Sequence, residues 1–358
     1  MVLILTFDPE SLLKGGKSKK KKAADQQEHM SHQYRLWQQQ LTKSIETHMP
    51  RDQPYVLLHV ANLVGLFTCI FVKTSERHSI RNVCASTVKR GLGGLHGNKG
   101  ALVVRFLLDD SSLCFINCHL AAGQSHTISR NNDIAAILES TALPAEPSAE
   151  ARTDMFVGGG DGSMILDHEI CILNGDLNYR IDMHRDSVIS RERQGDLPAL
   201  LERDQLLMER RRNPGFRLRA FQEYQITFSP TYKYDVGTNT YDTSDKKRSP
   251  AWCDRVLYRG LGRIKQTAYR RWEVRASDHR PVSASFLIRL KTVDHELRGH
   301  VWEQCKRRYA DVREREVWEA KMDFLVNVCG YGMEEARRSL GKKEEVVEAV
   351  RSLQKSGR

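Results

Sequence analysis

The sequence predicts a layered α/β domain over about residues 50–290 with a small helical domain after it, on three observations. Short β-rich runs bounded by Gly, Asn, Ser or Asp are mixed with stretches of helical period, as in two-layer α/β architectures. The apolar runs do not span a membrane: VLLHVANLVGLFTCIFV at 56–72 is broken by His59 and Asn62, short of the roughly 18 uninterrupted apolar residues a span needs. After about 291 the strand signal stops and Arg- and Glu-rich helix takes over.

Taken in order, residues 1–29 form a basic N-terminal segment. Its stretch KGGKSKKKK at 14–22 has no apolar period and reads as a solvated tail that would also meet anionic lipid head groups. Tyr34, Trp37, Leu41 and Ile45 recur at helical spacing, with Ser31 as a candidate N-cap and Pro50 beyond the end, and predict an amphipathic helix over 31–49. YVLLHV, GLFTCIFV, ALVVRFLL and SLCFINCHL follow as strands. Helices are expected around 127–140 and 193–212, with an Ala-, Pro- and Gly-rich surface loop between them, and strands at 171–173, 223–228, 255–258 and 282–288. Residues 291–314 read as a helical linker, and 315–358 as three short helices turning at Gly330-Tyr331-Gly332 and Gly341-Lys342.

A net charge of +11 favours an acidic partner: nucleic acid, an anionic membrane or a phosphorylated substrate. The 8 cysteines show no CxxC spacing and mostly sit in apolar stretches, which disfavours a zinc site. MVLILTF lacks a basic leader before it and a cleavage site after it, so a cytoplasmic protein, peripheral at membranes, is expected.

Four stretches carry ionisable groups at the ends of expected strands, where open α/β folds build their sites: NCHLAAG at 117–123, NGDLNYR at 174–180, 229–258, and ASDHRP at 276–281. Asp176 and Asn178, at alternate positions of an extended segment, share a face. There the Asp would take a proton from water while the Asn amide donates to the group under attack. Gly175 would let the backbone approach a phosphate. A neutral His279 beside carboxylates would donate to a developing anionic oxygen. Lys233, Lys246, Lys247 and Arg248, interleaved with Tyr232 and Tyr234, suit further phosphates on one substrate.

GNKGALVVRF, NCHLAAG, LNGDLNYRID, SPTYKYD, RSPAWCDRVL and ASDHRPV, in this order, resemble the inositol polyphosphate 5-phosphatase family of the endonuclease/exonuclease/phosphatase superfamily. The resemblance covers roughly 50–290. It implies a two-sheet α/β sandwich and Mg²⁺-dependent removal of the 5-phosphate from phosphoinositides such as phosphatidylinositol 4,5-bisphosphate, or from soluble inositol polyphosphates. By the same resemblance Asp176 activates water, Asn178 contacts the scissile phosphate, and His119 and His279 stabilise phosphoryl oxygens. Asp254 orients His279, and Asp278 lies beside the metal centre. Asn98 and Lys99 lie near the pocket, with Tyr179, Arg180 and Arg255 among the substrate contacts. Tyr232, Lys233 and Lys246 match positions that grip a neighbouring 4-phosphate.

The chain departs from the family before residue 31, where a strand ending in a metal-binding Gln-Glu pair is expected. Gln27-Glu28 follows a lysine run and Glu10 lacks the Gln, so neither is assigned and the metal ligands stay unassigned. The expectation is a catalytic domain over 30–290 whose N-terminal strands are missing, leaving an open sheet edge. The alternative is a head-group-binding protein without turnover. The tail over 315–358 is similar to ubiquitin-associated domains and implies a ubiquitin contact through Val326, Cys329, Tyr331 and Leu353. The motifs at 229–258 argue against a nucleic-acid substrate.

Overall fold

The computed structural model describes the backbone of residues 2–7, 23–91, 96–341 and 345–356, and the side chains of 32–91, 98–341 and 345–355. The chain divides into two compact units, Met1–Thr292 and Val293–Arg358.

The first unit begins with β1 (Val2–Phe7), α1 (Ala23–His48), β2 (Tyr55–Leu63) and β3 (Leu66–Lys73). The strands form an antiparallel sheet in the order β1-β3-β2. Alternation sends Phe67, Cys69 and Phe71 of β3 to Tyr34 and Ile45 of α1, and Ile70 and Val72 to a second core with Val104, Phe106, Leu113 and Phe115. A strand buried on both faces reads as one unbroken apolar run. Each of its buried phenylalanines contributes roughly 1.5–3 kcal/mol.

The larger sheet holds β4 (Ile80–Gly91), β5 (His96–Leu108), β6 (Ser111–His119), β7 (Ile170–Asp176) and β8 (Asp254–Arg259), in that order. Only β6 and β7 are parallel, so a crossover must join them. It contains α2 (Thr127–Leu138) and α3 (Ala149–Met155), and α2 packs Ile134, Ile137 and Leu138 on the face carrying Ala101, Val103, Cys114, Ile116 and Cys118. Then come α4 (Arg185–Arg193), α5 (Leu197–Glu202) and α6 (Gln205–Arg212). The pair β9 (Ile264–Arg271) and β10 (Val282–Ile288) adds Ile264, Phe286 and Ile288 to the core shared by the two larger sheets. The result is the expected two-sheet α/β sandwich with helices outside.

The edge expected to stand open is filled: β1 pairs with β3 from Val2 opposite Val72 to Phe7 opposite Phe67. Part of the segment set apart as 1–29 therefore belongs to the sandwich. Gln27 and Glu28 lie in α1, while Glu10 and the lysine run at 14–22 fall outside the described residues. Two strands went unpredicted, β4 and β9, whose alternate residues are polar and exposed. Residues 223–228 carry no strand; next to them Gln222 makes one isolated bridge to Tyr258. The helix expected over 193–212 is two helices, α5 and α6, after α4 has ended at Arg193, because Asp196 and Asp204 each cap a new start by accepting from Ala199 and Leu207 N–H groups.

The second unit holds α7 (His295–Asp323), α8 (Met333–Leu340) and α9 (Val346–Ser356) around Met322, Leu325, Ala336, Leu340, Ala349 and Leu353. The linker and the first tail helix are one continuous helix, extended by a π-helical turn at Phe324–Val328. Leu353, expected at a partner contact, is buried in this core, with Val326 and Tyr331 packed against it. Among the described residues no helix is long and apolar enough to cross a membrane. All eight cysteines are free thiols, five of them buried.

Candidate active site

The strand directions bring one edge of the larger sheet to a common point. β6 and β7 end there in His119 and Asp176, and β8, running the other way, starts there with Asp254. The register sets His119 opposite Asp176 and Asp176 opposite Asp254, so three ionisable side chains stand in one row. Gly175 makes the row possible: its φ is +123°, and a Cβ there would collide with the Cys118 carbonyl oxygen. The close approach that the structure shows is to β6.

Asp176 is the centre of the row. Its Oδ2 lies 3.3 Å from His119 Nε2 and accepts from Asn178 Nδ2 at 2.8 Å, while Oδ1 accepts from the Asn178 N–H at 3.0 Å. The last bond closes an Asx turn, with Asn178 in the left-handed region at φ +56°. The two side chains therefore meet through a turn beyond the strand end, not by alternation along an extended segment. Burial raises the Asp176 carboxyl, but the His119 hydrogen bond and the charges of His119, His279 and Lys99 outweigh it and hold it well below the usual carboxylate range. Lys99 Nζ contacts His119 Nε2 directly.

On the other flank, His279 Nδ1 donates to Asp254 Oδ2 at 2.9 Å, and Thr231 Oγ1 donates to the same oxygen at 2.6 Å. Burial works against charge on His279, yet Asp254, Asp176 and Asp278 raise its pKa to about 9. That shift favours the imidazolium at neutral pH, with Nδ1 donating to Asp254, where the sequence suggests a neutral ring. Tyr232 packs on it with ring centres 4.6 Å apart. Lys233 Nζ is 2.8 Å from Asp278 Oδ2.

Three expected substrate contacts are structural or supporting groups. The Tyr179 ring is fully buried and its hydroxyl donates to Asn131 Oδ1 at 2.8 Å. Arg255 is 0% exposed and is clamped between Asp204, at 3.0 Å, and Glu223, at 2.6 Å. Arg180, 5% exposed, donates through Nε to the Asn178 carbonyl at 3.0 Å and through Nη2 to Asn178 Oδ1. Asn98 and Lys246 are exposed, and among the described residues no side-chain contact ties them to the row. Two participants went unassigned from sequence: Thr231, inside SPTYKYD, and Asp242. The Asp242 carboxylate accepts from the Arg248 N–H at 2.8 Å and its own N–H donates to Lys233 O, shaping the basic turn. A cavity of about 890 Å³ is lined by Arg185, Tyr234, Tyr241 and Arg271, none of them in the row.

A row of Asp and His at the carboxyl edge of a two-sheet sandwich, with basic and amide donors around it, is chemically suited to phosphoryl transfer, which needs positioning and charge stabilisation more than covalent chemistry. The chain belongs to endonuclease/exonuclease/phosphatase family 2, whose model matches residues 16–285. It is 47% identical over 339 residues to a probable inositol polyphosphate 5-phosphatase of Schizosaccharomyces pombe, which covers 94% of this chain and 28% of that protein. It is 36% identical over 298 residues to human synaptojanin-1, over 75% of this chain and 18% of that one. The chain thus spans less than a third of the length of these relatives. Among solved structures it is similar to the inositol polyphosphate 5-phosphatase domain of a synaptojanin in complex with inositol (1,4)-bisphosphate and calcium ion. The TM-score is 0.66 at 32% identity, covering 88% of this chain and 83% of that one.

A divalent cation is implied by this family. Hard cations take about six or more oxygen ligands, several of them carboxylates. Among the described residues no three His, Cys, Asp or Glu side chains converge as a metal site. Asp254 is taken by His279 and Thr231, and Asp278 by Lys233. The described donors alone do not complete a Mg²⁺ site, and the side chains of Glu10, Gln27 and Glu28 lie outside the described residues.

Proposed function

We propose that this chain is a phosphomonoesterase that removes the 5-phosphate from phosphoinositides such as phosphatidylinositol 4,5-bisphosphate or from soluble inositol polyphosphates. The observation that carries the reading is the row itself: a carboxylate held ionised at Asp176 between His119 and the donor Asn178, with His279, its pKa raised to about 9, on the other side at Asp254. The names of the relatives supply the substrate class.

In this reading Asp176 accepts a hydrogen bond from the attacking water and orients it; as the bond from phosphorus to the 5-oxygen breaks, one proton of the water ends on the departing oxygen and the other stays on the released phosphate. The depressed pKa of Asp176 makes it a permanent acceptor and a weak proton sink. Asn178 reaches the scissile phosphate by giving up its 3.3 Å bond to the Leu120 carbonyl. His119, Lys99 and the Nε2–H of His279 face the phosphoryl oxygens, and stabilisation of their charge supplies most of the barrier reduction. Tyr232, Lys233 and Lys246 receive a neighbouring 4-phosphate, which displaces Lys233 from Asp278. No step passes through a metal, and the Mg²⁺ requirement belongs to the reading as a separate expectation. The same cationic turn would rest on an anionic membrane surface.

The test is phosphate release by the purified chain from phosphatidylinositol 4,5-bisphosphate in vesicles and from soluble inositol polyphosphates, with Mg²⁺ and with EDTA. Turnover that needs Mg²⁺ and is abolished by Asp176→Asn supports the reading. Vesicle binding weakened by Lys233→Ala plus Lys246→Ala, without turnover, would instead establish the head-group-binding alternative.

A further inference from the structure

Arg180 sits two residues beyond the catalytic amide, yet its position serves that amide and not the solvent. It is 5% exposed. Its Nε holds the Asn178 backbone carbonyl and its Nη2 the Asn178 side-chain oxygen, and its own N–H donates to Gln205 Oε1 at 3.0 Å. The guanidinium carbon lies 4.7 Å from the centre of the Tyr232 ring, whose other neighbour is His279. Lys233 Nζ stands 5.9 Å from the same ring centre.

Two consequences follow from elementary chemistry. A carboxamide can turn over, exchanging acceptor for donor at little intrinsic cost. Because Arg180 only donates, it admits the Asn178 oxygen alone, which forces Nδ2 toward Asp176 Oδ2. Turned over, Asn178 would set an acceptor against that carboxylate and release its orientation. A planar guanidinium also grips two groups and a ring face at once, which the point charge of lysine does not.

We propose that Arg180 is a positioning residue, which locks the Asn178 carboxamide and the Tyr232 ring into one unit so that the catalytic tip and the 4-phosphate loop are aligned together. The proposal rests on the activity proposed above. It assigns no substrate contact to Arg180 and makes a neighbouring 4-phosphate act on turnover as well as on binding.

The experiment compares Arg180→Lys with the unmodified full chain on soluble inositol phosphates that carry or lack a 4-phosphate beside the 5-phosphate. The expected result is a fall in kcat on the order of 10²-fold, as for a small misplacement of a reacting group, with KM within about twofold. The advantage of the 4-phosphorylated substrate in kcat shrinks. Asn178→Ala combined with Arg180→Lys is no slower than Asn178→Ala alone, since one acts through the other. A raised KM at unchanged kcat, or losses that multiply, would overturn the proposal. If Arg180→Lys does not fold, Tyr232→Leu probes the same unit from its other end and loses kcat likewise; unchanged kcat there counts against the proposal. If the unmodified chain turns over nothing, the activity reading is what fails. The positioning is then decided by the Asn178 side-chain amide signals in ¹⁵N-edited spectra: a shift in Arg180→Lys supports it, and no shift sinks it.

Discussion

The row at the sheet edge and the basic turn at 229–250 contribute to one site by different physics. His119, Asp176 and Asp254 are fixed by strand register, each opposite the next, with side chains between 14% and 20% exposed. The turn has no ladder. Tyr232 and Tyr234 are tied by isolated bridges, Asp242 accepts two backbone N–H groups, and Lys246 at the tip is exposed. Groups on strands are held to the tolerance that bond-making needs, while groups on a turn can follow substrates of differing shape. The row, with the Tyr232 ring packed on His279, should therefore govern kcat and the exposed tip of the turn KM, and each of four substitutions tests that division.

The largest effect is expected from Asp176→Asn. The amide keeps the size and loses the negative charge that His119, Asn178 and His279 surround. Turnover should fall by about 10³-fold, with circular dichroism and KM near those of the unmodified chain. A loss confined to KM would place the chemistry elsewhere.

Arg255→Ala separates being next to the row from being in it. Arg255 follows Asp254 on β8, so the pleat turns it to the opposite face, where it is fully buried between Asp204 and Glu223. Removing it leaves two buried carboxylates unpaired, at a cost of about 3–5 kcal/mol of stability. Denaturant unfolding should show that loss, while KM of the protein that remains folded is unchanged.

That parity also explains what the sequence could and could not say. Apolar runs ending in ionisable groups revealed where β6, β7 and β8 stop, and with them His119, Asp176 and Asp254. Motif proximity does not reveal direction, so Tyr179, Arg180 and Arg255 were grouped with the substrate contacts although each is buried. β4 and β9 were illegible because one face of each is polar and exposed, which leaves too few apolar residues to mark a strand. The place of β1 could not be read from MVLILTF, since pairing with β3 depends on a partner some 65 residues away. The Asp176–Asn178 contact was anticipated through the wrong geometry, because an Asx turn and a continued strand look alike in one dimension.

The third test is pH. The folded-state pKa of His279 is raised to about 9, with Asp254 the chief counterweight to burial. The imidazolium is complete at neutral pH, and kcat/KM should decline as pH rises through about 9. The same proton stabilises the fold: the folded pKa exceeds the unfolded one, so the contribution is present in full below about 6.5 and is lost as pH rises through 9. Asp254→Asn removes the counterweight and leaves burial, so the alkaline limb should move to lower pH. An unmoved limb would assign it to another group.

The smallest effect belongs to Lys246→Ala, and it is the most direct probe of the turn. Lys246 is exposed and lies outside the strand register that fixes the row, so its loss should leave the fold and kcat alone. A charge-assisted contact to a 4-phosphate is worth about 1.5–3 kcal/mol when well formed, and exposure puts this one at the lower end, or about tenfold in KM. The change should appear with substrates bearing a 4-phosphate, vanish with those lacking it, and weaken as salt is added, because a solvent-exposed cation is screened over about 8–10 Å. A salt-independent loss of kcat would mean that the turn is as rigid as the strands, and the division between chemistry and recognition would fail.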